Sequence, residues 1–95
     1  IAVGSDGAIT GDTATAGGTL SYYFVETTKA TEIAAWTTET TAEKVGTDLG
    51  VSAEANKPTI SDNTKNDKFL VVVEIKDGKV VAAGQSEAIA FAVTQ

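Results

Sequence analysis

Phe69-Leu70-Val71-Val72-Val73-Glu74-Ile75 is the longest strongly apolar stretch in the chain. Its residues are mostly β-branched, which favours an extended backbone. Apolar side chains fall on both faces of that backbone, so the strand is expected at the centre of a sheet, covered above and below. Extended, it reaches about 23 Å, the height of a small sandwich.

Reading outward, Asp77-Gly78 stands between two β-rich runs. Both positions tolerate positive φ, the signature of a two-residue hairpin. Lys79–Ala83 should therefore return beside Val71–Ile75, with Gly84 bending or bulging the strand. Glu87–Val93 alternates and reads as a last strand, its Ile89, Phe91 and Val93 facing the core. Upstream, Thr19–Thr27 is a clear strand, with Leu20, Tyr22 and Phe24 on one face and Ser21, Tyr23 and Val25 on the other. A further short strand is expected within Ala2–Thr10, broken by Ser5-Asp6-Gly7, and Gly17-Gly18 marks the next turn.

The middle of the chain reads differently. Thr31 is placed to cap one or two helical turns through Trp36, with Ile33 and Trp36 on one face. A second brief turn is expected at Thr41–Val45, and Gly46 and Gly50 punctuate the chain after it. Gly50–Ala55 and Lys57–Ile60 are weaker strand candidates, the latter confined by Pro58 to an edge or a strand start. Ser61–Asp67 is wholly polar and must be a loop. These elements predict one all-β domain over residues 1–95, an immunoglobulin- or fibronectin-III-like β-sandwich of about seven strands with one short helical turn.

Composition narrows the chemistry. Hydrophobic residues make up 42% of the 95, mostly Ala and Val, so a thin core between sheets is expected. Cys, His, Met and Arg are absent. That removes disulfides, thiolate nucleophiles, the commonest zinc ligand and the usual general base. The reading is a non-enzyme, without catalytic or cofactor-binding residues. A net charge of −6 argues against nucleic acid and anionic membranes as partners. No apolar run of membrane-spanning length and no charged leader are seen, and Ile1 in place of Met suggests a piece of a longer protein.

Four residues merit weighing as sites. Asp62 and Asp67 bracket a loop of oxygen donors suited to Ca²⁺, but the spacing is not that of an EF-hand and Lys65 lies within it. A solvated turn is the plainer reading, with Ca²⁺ kept for a contact with a neighbouring domain. Tyr23 and Trp36 are candidate ligand or domain contacts, weighed against core packing for Tyr23 and a lid on the core for Trp36. The carboxylates show no short-spaced pairing of the glycosidase kind.

Leu20-Ser-Tyr-Tyr-Phe-Val, the Thr-Glu-Ile turn, Thr59-Ile-Ser-Asp-Asn-Thr-Lys-Asn-Asp-Lys-Phe-Leu-Val-Val-Val-Glu and a Ser-containing final strand together carry a resemblance. Over Gly18–Val93 the chain resembles the immunoglobulin/fibronectin-III-like modules of Gram-positive surface-layer and cell-surface proteins. The Lys76-Asp77-Gly78-Lys79 hairpin is longer than the usual loop there. The resemblance implies a structural module of an extracellular array at the cell surface or wall. Its partners would be neighbouring domains, copies of the same protein, or cell-wall glycan. Similar acidic sandwiches decorate phage capsids and tails, which gives the alternative of a virion protein. A carbohydrate-binding module using Tyr23 or Trp36 is a third reading.

Overall fold

A computed structural model describes residues 1–54 and 56–92. Strands β1 (Ala2–Val3) and β2 (Ile9–Thr10) form an antiparallel hairpin. Strands β3 (Thr19–Val25), β4 (Phe69–Lys76) and β5 (Lys79–Gln85) form an antiparallel sheet in that spatial order. Helices α1 (Ala30–Ala35) and α2 (Ala42–Leu49) lie in the connection from β3 to β4.

The apolar stretch Phe69–Ile75 lies in the central strand, β4. Leu70 and Val72 pack with Ile9, Tyr22, Ile60 and Ile89 on one face. Val71 and Val73 pack with Tyr23, Val25, Val45 and Leu49 on the other. Two-sided burial therefore has unlike causes: helix α2 covers one face, the β1–β2 hairpin and irregular segments the other. Asp77 (φ 54°) and Gly78 (φ 78°) close the β4–β5 hairpin as expected.

The described residues contain five strands, not seven, arranged as two antiparallel sheets. Neither weak strand candidate between 50 and 60 forms. Glu54 makes only an isolated bridge to Tyr22, and Lys57–Ile60 has no ladder. Ala55 lies outside the described residues. The alternation in 87–93 does bury Ile89, but residues 87–92 are not a strand and Val93 lies outside the described residues. Their backbone is held instead by separate bonds: the Asp67 N–H donates to the Ile89 carbonyl (2.9 Å), the Ile89 N–H to the Lys68 carbonyl (2.8 Å), and the Asn66 side chain donates to the Phe91 carbonyl (3.2 Å) and accepts from the Phe91 N–H (2.7 Å). Asp67, with φ 68°, turns the opposing chain out of a regular ladder. The expected kink at Gly84 is also misplaced. The register shifts near Val81, between the pairs Glu74↔Ala82 and Ile75↔Val80, whereas Gly84 pairs regularly with Val72.

The helical content exceeds one turn. Thr41, not Thr31, supplies the side-chain cap, accepting from the Lys44 N–H at 3.2 Å. Lys29 stands at the N-cap of α1 without a side-chain bond, and Thr31 lies inside the helix. Helix α2 buries Val45 and Leu49, one turn apart, and ends at Gly50 with φ 72°. Gly46, read as punctuation, sits inside α2, and a methyl group there would meet nothing within 4 Å. Gly46→Ala should stabilise the protein by about 0.5–1 kcal/mol, because glycine loses more backbone freedom on entering a helix. Urea unfolding midpoints of the two proteins check this.

Candidate functional site

The deepest polar feature lies where the loop after β2 meets the centre of β4. Glu74 interrupts an apolar strand and is only 2% exposed. Its carboxylate accepts from the N–H groups of Thr15 (3.0 Å), Ala16 (2.9 Å) and Gly18 (2.8 Å). Glycine is required at 18: a Cβ there would lie 2.7 Å from the Ile75 carbonyl and 2.8 Å from the Glu74 Cγ. The N–H donors of Thr15 and Gly18, then Ala16, hold the Glu74 carboxyl below its ordinary pKa.

A second carboxylate anchors the same loop. The Tyr22 hydroxyl donates to Asp12 Oδ2 at 2.7 Å, and Lys57 Nζ lies 3.1 Å from that oxygen. Lys57 also donates to the Ile9 carbonyl at 3.1 Å. Burial pushes Asp12 upward, but the bonds from Tyr22 and Lys57 outweigh it and leave its pKa lowered. Burial, then the bond to Asp12, pushes the Tyr22 hydroxyl up to about 12.

Between these two anchors runs an open groove of about 220 Å³, bordered by Ile1, Asp12, Thr13, Leu20, Glu74 and Gly84. It falls short of the usual volume of small-molecule pockets, roughly 300–1,000 Å³. Both acidic side chains spend their oxygens on partners inside the fold, so the arrangement pins a glycine-rich loop to a sheet. In the sequence Glu74 stands out only as a lone carboxylate inside Val71–Ile75, because its donors lie 56 to 59 residues upstream.

The other candidates are not gathered into this groove. Tyr23 is 3% exposed and packs between the sheet and α2, so its ring offers no surface platform. Trp36 is half-buried against the same cluster as Ile33, the lid expected of it, and its indole N–H donates to Asp48 at 2.8 Å. Asp48 sits near the C-terminus of α2, where a negative charge opposes the helix dipole. The indole and Lys44, at 2.9 Å, compensate and lower its pKa. Asp62 accepts from the Thr64 N–H (3.0 Å) and hydroxyl (2.6 Å), capping a short 3-10 turn at Asn63–Lys65. Asp67 instead gives its N–H to the Ile89 carbonyl at 2.9 Å. Among the described residues no three acidic side chains converge as metal ligands. No helix among them is long and apolar enough to cross a membrane.

Comparison with protein families, curated proteins and solved structures finds no match.

Proposed function

We propose that the chain is a non-catalytic structural module of a bacterial surface-layer or cell-wall-associated protein, a rigid unit in an extracellular array. Its two antiparallel sheets are compatible with a reduced immunoglobulin/fibronectin-III-like sandwich, and that is the fold family proposed for it. One observation carries the reading: the acidic groups of the groove between the β2–β3 loop and the sheet, Glu74 and Asp12, are consumed in holding the fold together. A carboxylate that accepts several hydrogen bonds in its ionised form is a poor proton shuttle and a good staple. The absence of His, Cys and Arg from the sequence points the same way.

Immunogold labelling of the source cells, with antibody raised against the folded module, tests the proposal. Label over the wall or surface supports it. Label on phage particles replaces it with the virion reading, and label confined to the cytoplasm overturns both.

A further inference from the structure

We propose that the outer edge of β5, over Ala82–Gln85, docks an extended strand of a partner protein, apolar at alternate positions and flanked by basic residues. This deepens the building-block reading by naming an edge through which the module would be joined.

The backbone carries the first part of the argument. Strand β5 lies at the end of the sheet. The Ser86 N–H points inward, to the Leu70 carbonyl at 2.8 Å. Strand alternation then turns the N–H and C=O of Gly84 and Ala82 inward, and those of Gln85 and Ala83 outward. The flanks of the edge are occupied. The Val80 N–H donates to the Thr40 carbonyl at 2.9 Å, and the Gln85 side chain accepts from the Lys29 N–H at 2.6 Å. Between them Ala82 and Ala83 are exposed. Among the described residues, no group bonds the outward N–H or C=O of Ala83. The usual protections of an edge, a lysine, a proline or a bulge, stop short of Ala82.

Side-chain space carries the second part. The Glu74 groove runs beside Ala82 and Gly84 on one face of the sheet. A second groove of about 210 Å³ runs beside Ala83 on the other face, walled by Ile33, Trp36 and Val80. Residues directly opposite across an antiparallel pair share a face. In an added antiparallel strand, the residue opposite Ala83 points into the Trp36 groove, and its two neighbours point toward Asp12 and Thr13. Main-chain bonds would supply affinity, and the paired grooves selectivity.

The occupant follows from charge and size. Glu39 and Asp12 are already paired with Lys79 and Lys57, so the net charge of −6 of the chain as a whole is what favours a basic partner. A second copy brings the same negative charge, and its Val81-Ala82-Ala83-Gly84 side chains are too small to fill the grooves.

The probe is a capped peptide, Lys-Thr-Ile-Thr-Ile-Thr-Ile-Lys, added to the intact chain. Hydrogen exchange at the Ala83 amide should slow about tenfold, with a change in Trp36 fluorescence. N-methylation of the isoleucine amides, which face β5, should abolish binding, and N-methylation of the threonine amides should spare it. Ala83→Pro removes an outward N–H that an edge strand can lose; with its circular dichroism unchanged, it should no longer bind. Three results overturn the proposal: no slowing at about 1 mM peptide, equal binding of the two N-methylated peptides, or a dimer in sedimentation that protects Ala83 without peptide. Any of these leaves the cell-surface reading to its own labelling test.

Discussion

Leu70→Ala is expected to lower stability by about 3–4 kcal/mol, the largest loss from any single aliphatic truncation among the described residues. Leu70 is fully buried and sits at the middle of the cluster formed by Ile9, Tyr22, Ile60, Val72 and Ile89. Its neighbours come from the β1–β2 hairpin, β3, β4 and two irregular segments. Ile9, Tyr22, Val72 and Ile89 are held by backbone bonds of their own, so the void would be filled only in part. A domain of this size has a net stability of roughly 5–10 kcal/mol. The melting temperature should therefore fall by roughly 12–25 °C. Val51→Ala serves as the control: Val51 is 36% exposed, and its truncation should change stability by less than about 0.5 kcal/mol. Thermal and urea unfolding of both variants check the contrast. Similar losses at the two sites would mean that Leu70 does not occupy the core position described.

The second large effect is pH dependence centred on Glu74. Glu74 and Asp12 both have pKa values lowered in the folded chain. In acid the unfolded chain therefore binds more protons than the folded one. The stability these groups contribute is complete above their unfolded pKa values, near 4. It is lost as pH falls through the lower folded values. Tyr22 acts at the opposite end. Its hydroxyl is raised to about 12, so its contribution is complete below the unfolded value and lost as pH rises toward 12. Melting temperature against pH should form a plateau with falling shoulders on both sides. In Glu74→Gln the amide NH₂ meets N–H donors where a carboxylate oxygen accepted them. That variant should melt roughly 5–15 °C lower at neutral pH and lose much of its acid shoulder, while Tyr22→Phe should lose part of the alkaline one and leave the part due to Tyr23, whose hydroxyl is also pushed up by burial. An unchanged acid shoulder in Glu74→Gln would assign acid sensitivity to other carboxylates.

Local rules reached far along this chain. The β-branched content of Phe69–Ile75 determines a strand buried on both faces, and β4 is that strand. Asp77-Gly78 determines the hairpin, because few residues other than Asn, Asp and Gly accept two consecutive positive φ angles. The alternation of Tyr22 and Tyr23 determines that they enter opposite cores. The same rules overreached where a pattern had no partner. The alternating stretch from 87 buries Ile89 but meets a chain bent at Asp67, so two backbone bonds at Ile89 and the Asn66 side-chain amide at Phe91 take the place of a ladder.

Tertiary structure alone decided what covers each face of β4. Helix α2 could replace a second sheet because Val45 and Leu49 present an apolar stripe as well as a strand would. It also decided the role of Glu74. Residue type marks a carboxylate in an apolar strand as needing partners, but the donors come from a loop more than 50 residues away. The central strand was legible because period and side-chain shape act between neighbours. Its surroundings were not, because they depend on which distant segments arrive and which of their backbone groups remain to be satisfied.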